Sequence, residues 1–381
     1  MVNYELRNSE HNVQRIKPMK QIKQTKRFCL FTATGAENLG DELITLTEIQ
    51  HLQELYSNCH ITVFSHDILR TRRFLLSQNV SQEHITLQEY FPNAIKKRPL
   101  RNIRLLWQTI IAIKQCQHIY VGGGWLLYGK SEEGHSPLFL WSMRARIEKF
   151  FRKPITYLSL GISAGMNELK PFARTLFAWT TITVRENKSQ EILSQLGFQW
   201  EVLPDPVLSY VPQKWDANKT IGIALRKWFL PDEVIIEIIK KLINLWYEIL
   251  LLPHSLHPTD ENSHDGYYLQ NFLLPGVSTT QTIEQTLEEY KKCHIILSMR
   301  LHSMILSVDH HIPFIGISYS RKTDYLLQDL DWKYSHTSDT NSADIIRDIL
   351  EIEKKYPELE EKLAQKHLSY QTLYNNSFPW K

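Results

Sequence analysis

The 381-residue chain is 43% hydrophobic and 11% aromatic, enough apolar material to bury a full core and more consistent with two domains than with one. Its four cysteines, Cys29, Cys59, Cys116 and Cys293, lie far apart and form neither a CxxC pair nor a metal-ligand spacing. We therefore expect reduced thiols in a cytosolic protein, with no metal and no bound cofactor.

Charge is concentrated at the N-terminus. Residues 1–27 carry seven Lys or Arg against two Asp or Glu, which is +5, so a net charge of +3 leaves −2 for the rest of the chain. We expect residues 1–26 to form a basic, flexible, solvated tail. A folded body that is not basic argues against nucleic acid as the main ligand. No apolar leader occurs at the start, and charges interrupt the most apolar later segment, so we expect a soluble, cytoplasmic chain.

The first motif, "TATGAENLGDELI" at residues 32–44, places a glycine-rich turn before a predicted helix. Gly35 and Gly40 have the five-residue separation of a P-loop, yet Asp41 and Glu42 follow where that loop needs Lys and Ser or Thr. Two interpretations of Asp41 are open. It is either a ligand-binding carboxylate or the cap of the following helix, where Asp is a preferred residue.

Nine short β-branched, apolar runs alternate with helical patterns, which predicts an α/β fold with parallel sheets. These predicted strands span residues 27–33, 60–65, 118–123, 155–161, 181–186, 220–226, 247–253, 293–299 and 313–319. The polar segment 209–219, which contains Pro, Asn and Asp, is the expected linker. It separates predicted Rossmann-like domains at 27–208 and 220–345, and a C-terminal helical segment covers 346–381.

Ligands of such folds bind at the carboxyl ends of the strands, so the loops that follow each strand are candidate sites. The run Gly122–Gly124 removes side chains where a ligand or another backbone must approach closely, or it forms a tight turn. Arg185 ends a strand, where it could bind an anion or pair with an acid. Asp205 lies between two prolines, and a rigid turn explains this residue as well as chemistry does.

The most informative stretch is "ILSMRLHSMILSVDHHIPFIGISYSRK", residues 296–322. Arg300 and His302 lie where a predicted strand gives way to a helix, so backbone N–H groups and the helix dipole would attract an anion there. Lys322 follows the next predicted strand and could reach the same pocket. Two cations close to one histidine favour function over packing.

Six motifs in order resemble the polysaccharide pyruvyl transferase family, over about residues 28–330. They are "NLGDE" (38–42), "GGG" (122–124), "VRENKS" (184–189), "PDP" (204–206), "SMRLH" (298–302) and "ISYSRK" (317–322). The resemblance implies two Rossmann-like domains facing a cleft, similar to GT-B glycosyltransferases. It also implies transfer of the carboxyvinyl unit of phosphoenolpyruvate onto two hydroxyls of a sugar in a capsule, exopolysaccharide or cell-wall glycan. A pyruvate ketal would form and phosphate would leave.

Carried over residue by residue, the resemblance assigns roles on both sides of the cleft. The donor side, in residues 220–345 and at one strand end of the first domain, comprises Arg185, Arg300, His302 and Lys322. The acceptor side comprises Asn38, Asp41, Gly123 and Gly124. His302, as general acid, and Asp41 are the expected catalytic residues. One departure is that Ser320 and Arg321 stand where the family often has Asp-Pro.

Two alternatives and one partner remain open. A GT-B glycosyltransferase that uses a nucleotide sugar would share this architecture, and so would a non-catalytic sugar-binding relative. The segment 137–153 mixes Phe, Leu and Trp with five basic residues and one acid, a pattern typical of an interfacial helix or of a domain-surface helix. Because the acceptors of the family are often lipid-linked, peripheral contact with the inner face of the membrane is a hypothesis.

Overall fold

The computed structural model describes residues 25–92, 99–129, 137–210, 219–228, 230–258, 261, 264–337 and 339–377. The predicted tail and the predicted linker lie almost wholly outside these residues, at 1–24 and 211–218, so both domain boundaries stay predictions. Within the described part of the chain, no helix combines the length and the apolar character that crossing a bilayer requires.

The first half of the chain forms a parallel sheet with the strand order β3-β2-β1-β4-β6-β7-β8, and β5 pairs with β6. Its strands are β1 (Lys26–Phe31), β2 (Cys59–Ser65), β3 (Ile85–Glu89), β4 (His118–Val121), β5 (Gly124–Leu127), β6 (Ile155–Ile162), β7 (Thr181–Val184) and β8 (Glu201–Val202). Its helices are α1 (Leu39–Leu55), α2 (Ile68–Ser77), α3 (Pro99–Gln115), α4 (Pro137–Phe150), α5 (Met166–Phe177) and α6 (Asn187–Gln195).

The second half forms another parallel sheet, in the order β11-β10-β9-β12-β13-β14. Its strands are β9 (Thr220–Ala224), β10 (Glu248–Leu251), β11 (Val277–Thr279), β12 (Ile295–Ser298), β13 (Phe314–Ile317) and β14 (Ser335–His336). Its helices are α7 (Asp232–Asn244), α8 (Asp265–Leu269), α9 (Ile283–Tyr290), α10 (Leu301–His310), α11 (Arg321–Asp329), α12 (Ser342–Lys354) and α13 (Tyr356–Ser377).

All nine predicted strands are present, and the prediction of a two-domain α/β fold is confirmed. The sequence did not reveal β3, β5, β8, β11 and β14. Most of these strands lie at or near the sheet edges and are two to five residues long, so few of their side chains enter a core. A buried parallel strand reads as a continuous apolar run, whereas a short edge strand does not.

The two domains share one apolar core. A single cluster of buried side chains extends from the α1 face of the first sheet into the second domain, while a separate cluster covers the opposite face of the first sheet. A 3-10 turn (Pro206–Ser209) lies at the junction, where it contacts α1, α10 and the C-terminal helix α13. The last helix therefore returns to the domain junction. The carboxyl ends of the two sets of strands face each other.

Candidate active site

A cavity of about 1010 Å³ lies between the carboxyl ends of the two sheets. Six of the eight predicted site residues line it: Asn38, Asp41, Arg185, Arg300, His302 and Lys322. Each follows a strand end or begins a helix, which is why residues from separate motifs meet at one place. The structure thus brings the two sides of the predicted site together.

The Glu42 carboxylate stabilises the glycine-rich turn that precedes α1. The backbone N–H of Gly35 donates to the Glu42 carboxylate over 2.6 Å, and the hydroxyl of Thr34 also donates to it. Burial raises the pKa of Glu42 to about 7, although both hydrogen bonds act in the opposite direction. The loop thus has an internal carboxylate where a P-loop has a phosphate.

The glycines predicted on the acceptor side support α1 instead of opening onto the cavity. The N–H of Gly123 donates to Glu48 over 2.7 Å, and Gly124 adopts a positive φ of 97° behind Asp41. Neither glycine is among the described residues that line the cavity. Direct contact between these glycines and an acceptor remains a prediction.

Asn38 caps α1, so the alternative interpretation of Asp41 as the cap is wrong. The side-chain oxygen of Asn38 accepts from the N–H of Gly40 over 3.1 Å. Asp41 directly follows Gly40 as the third residue of α1, and its carboxylate lies at the cavity wall. Burial raises the pKa of Asp41, whereas His302, Arg185 and Lys322 act to lower it. A partly exposed carboxyl group with a raised pKa is suited to exchanging a proton with a ligand.

Asp205 is both a turn residue and part of the site. One of its oxygens accepts from the N–H of Val207 over 3.1 Å and caps the 3-10 turn. The other bonds to the guanidinium of Arg185 and lies 3.6 Å from Nε2 of His302. Burial alone would raise the pKa of Asp205, but Arg185 and His302 hold it well below its usual value. This ionised carboxylate fixes the two predicted donor-side groups relative to each other.

Gly40 lets His302 lie directly against the first turn of α1. A Cβ atom added to Gly40 would lie 2.0 Å from Nδ1 and 2.3 Å from Cγ of His302, a separation that real side chains do not have. The imidazole of the second domain thus occupies space that only a glycine of the first domain leaves open. The position of His302 depends on the "NLGDE" motif.

Arg300 is held by a carboxylate of its own domain, Asp265 at the start of α8. Its Nε donates to Asp265 over 2.9 Å and its Nη2 bonds to the second oxygen of that carboxylate. Asp265 also accepts from the N–H groups of His254 and Ser255, over 3.1 and 2.9 Å. Arg300 lines the cavity, but this fork onto Asp265 occupies two of its nitrogens, and its contact with a phosphate remains a prediction.

The loop that Asp265 holds pairs with the first domain. The N–H of Leu39 donates to the carbonyl of His254 over 2.8 Å, and the N–H of Leu256 donates to the carbonyl of Glu37 over 2.9 Å. Backbone hydrogen bonds therefore cross the domain junction at the edge of the cavity. They fix the helix start that carries Asn38 relative to the second domain.

Several buried polar atoms around the cavity lack a hydrogen-bond partner among the described residues. They are Nε of Arg226, both ring nitrogens of His254, Nδ1 of His257 and Nε2 of His302. A buried, unsatisfied polar group costs about 1–3 kcal/mol, so such groups seldom gather without a ligand or water to satisfy them. Their convergence makes this cavity a candidate binding site for a polar molecule.

The family model for polysaccharide pyruvyl transferase matches residues 38–321, about three quarters of the chain. The chain belongs to the polysaccharide pyruvyl transferase family. It is therefore an enzyme of polysaccharide biosynthesis, and the match begins and ends at the two motifs that supply Asn38 and the loop before Lys322.

Solved structures place the fold among GT-B-type proteins. A UDP-N-acetylglucosamine 2-epimerase from Neisseria meningitidis is 11% identical with a TM-score of 0.56, and the match covers 89% of this chain and 94% of that one. A glycosyltransferase from Rickettsia africae is 13% identical with a TM-score of 0.55, covering 93% and 94%. Identities this low show the fold alone. No curated protein matches the sequence.

The sequence did not single out Arg226 and Tyr319 as site residues. Both follow strand ends in the second domain and line the cavity, and the Arg226 guanidinium lies 5.3 Å from the Tyr319 ring centroid. Burial acts to raise the pKa of Tyr319, but Lys322, Arg300 and Arg226 bring it below the usual value. The signal that could have found Arg226 was its place at the end of the predicted strand 220–226, the same position that marked Arg185.

Proposed function

We propose that this enzyme transfers the carboxyvinyl unit of phosphoenolpyruvate onto two hydroxyls of one sugar, forming a pyruvate ketal and releasing phosphate. The observation that carries the proposal is the single cavity in which Arg185, Arg226 and Lys322 lie with His302 and Asp41. Fixed cations suit a small, multiply charged anion. The neighbouring acid and base suit proton transfer to carbon and from a hydroxyl.

Two arginines of the cavity form ion pairs with aspartates, which affects how the donor would be held. The charges of Arg185 and Arg300 are offset by Asp205 and Asp265, so these arginines offer oriented N–H groups more than net charge. Arg226 adds charge from the end of β9, and its Nε lacks a partner among the described residues. We assign the donor anion to the side of the cavity formed by Arg226, Tyr319 and Lys322, with Arg185 and Arg300 at its border.

The acid and base would act in sequence. His302 would protonate the terminal CH2 carbon, which leaves a cationic centre at the carbon that bears the phosphate. One sugar hydroxyl adds there, phosphate leaves with the C–O electron pair, and the second hydroxyl closes the ketal. Asp41 would accept the proton of the first hydroxyl, a role that fits its raised pKa and its place at the same cavity. The His302 imidazole, having given its proton to carbon, would accept the proton of the second hydroxyl.

The first test is binding of the donor. Replacing Arg226 by Ala removes a cation and a buried donor group, so we expect phosphoenolpyruvate binding to weaken by about 1.5–3 kcal/mol in calorimetry, as does loss of a hydrogen bond to a charged group. Lys227→Ala is the matched control, because Lys227 is the adjacent cation and is exposed. Tight binding of a nucleoside diphosphate sugar without binding of phosphoenolpyruvate would instead favour the glycosyltransferase alternative.

A second test separates acceptor from donor. Asp41→Asn keeps the shape of the side chain but removes its ability to accept a proton as a carboxylate. We expect calorimetric binding of phosphoenolpyruvate to survive, while the rate of ketal formation, followed by mass spectrometry of the glycan, falls by about 10²-fold or more. An unchanged rate would remove Asp41 from the chemistry.

A further inference from the structure

Helix α3 (Pro99–Gln115) exposes a line of large apolar side chains. Leu100 is 81% exposed, Ile103 56%, Trp107 62% and Ile111 51%. Their spacing of three or four residues places all four on one side of the helix. We call these four residues the α3 face.

The distribution is unusual for a surface helix, which normally buries its apolar side and exposes its polar side. The side of α3 that packs against the domain includes Asn102 and Thr109 beside Leu105 and Ile113. Scattered exposed apolar residues are common, but an aligned series of them marks an interaction surface.

The charged residues of α3 itself are all positive. α3 contains no Asp or Glu, and its Arg104 and Lys114 are exposed. At the C-terminal end of the helix, Lys114 lies 5.7 Å from the ring centroid of Phe151, next to Phe150, which is 80% exposed, and to the exposed Arg152. A helix face of apolar and cationic side chains is complementary to an anionic bilayer surface.

Side-chain contacts lead from the N-terminal end of α3 to the cavity wall. Arg101 bonds through its guanidinium to Glu89 at the end of β3. The next residue, Tyr90, has its ring 4.0 Å from the guanidinium carbon of Arg144, and Arg144 lines the cavity wall. These contacts connect the start of α3 with the cavity wall.

We propose that the α3 face docks onto the surface of an anionic phospholipid bilayer. Leu100, Ile103, Trp107 and Ile111 enter the boundary between headgroups and acyl chains, and Arg104 and Lys114 meet headgroup phosphates. This assigns the main membrane contact to α3, with the exposed Phe150 and Arg152 at the end of the segment 137–153 beside it. The helix of that segment, α4 (Pro137–Phe150), turns Leu138, Trp141 and Ala145 into the domain core.

The inference does not depend on the donor or on ketal chemistry, because vesicle binding is measured without turnover. The full chain is sedimented with phosphatidylcholine vesicles prepared with and without phosphatidylglycerol. We expect binding to the anionic vesicles only, and weaker binding as salt rises. The double variant Trp107→Ser/Ile111→Ser should bind at least about tenfold more weakly, because the apolar area that enters the interface is lost.

Leu368→Ser/Leu373→Ser is the matched control. Both leucines are exposed, at 64% and 42%, and both lie on α13. The control should bind as the wild type does, and the basic N-terminal segment is common to all three proteins, so it cannot produce a difference between them. Equal loss in both double variants, or no binding by the wild type, would overturn the proposal. If the wild type does not bind vesicles but forms a dimer, and only the α3 double variant loses that dimer, the α3 face would instead bind a second copy of the chain.

Discussion

Replacing His302 by Gln is expected to lower the rate of ketal formation by about 10²–10⁴-fold, the usual contribution of one well-placed general acid. Gln keeps a polar group beside Asp205 but cannot deliver a proton as an imidazolium does. Phosphoenolpyruvate binding should fall less than the rate, because Arg185, Arg226 and Lys322 still line the cavity. Single-turnover rates and calorimetry separate the two effects.

Heavy water tests the proton transfer itself. The terminal carbon of phosphoenolpyruvate has two hydrogens and the ketal methyl has three, so the added one must come from a group that exchanges with solvent. A single passage in heavy water should give a methyl group with one deuterium. His84→Gln replaces an exposed histidine of the first domain and is the control for His302→Gln. It should form the ketal at the wild-type rate. Ketal without solvent deuterium would refute the mechanism, and a near-normal rate for His302→Gln would point to Lys322 or Tyr319 as the acid.

Position along the chain was enough to locate most of the site. Arg185, His302 and Lys322 each come within about five residues of the end of an apolar run that indicates a buried strand, and the ends of parallel strands converge. The structure accordingly places all three at one cavity. The two-domain fold could be predicted for the same reason, since its central strands are buried on both faces and read as continuous apolar runs.

The partners of these residues could not be predicted. Asp265 precedes Arg300 by 35 residues and Asp205 follows Arg185 by 20, and nothing in the local sequence indicates that either acid folds back onto its arginine. Pairing of Arg185 with an acid was one of its two interpretations, but neither Asp205 nor Asp265 could be identified from the sequence as the partner of an arginine. The same limit applies to the cap of α1, because both Asn38 and Asp41 are good capping residues and only the backbone geometry distinguishes them.

The contact between Gly40 and His302 also depends on tertiary structure, and it reverses a prediction from helix propensity. Gly40 lies in the first turn of α1, where Ala is ordinarily favoured over Gly by about 0.5–1 kcal/mol. Here the added Cβ would lie 2.0 Å from Nδ1, 2.3 Å from Cγ and 2.5 Å from Cε1 of His302, so the ring would have to move. Overlap with three ring atoms outweighs the gain in propensity, and we expect Gly40→Ala to destabilise the contact between α1 and His302.

Gly40→Ala should lower the rate of ketal formation by about 10²-fold, since a displacement of about 1 Å in a catalytic group has costs of this order. Gly165→Ala is the control, because the nearest atom to its added Cβ is Oε2 of Glu168 at 3.6 Å, an ordinary contact. Thermal unfolding of both variants shows whether the rate loss merely reflects unfolding.

The double variant Gly40→Ala/His302→Gln decides whether Gly40 acts through His302. If Gly40 only positions the imidazole, the double variant should be no slower than His302→Gln alone, because the group that Gly40 positions is already missing. Rate losses that multiply would show that Gly40 supports the site independently, through the start of α1 and the backbone pairing of Leu39 with His254. Non-additive losses would establish that a glycine of the first domain sets the place of the proton donor in the second.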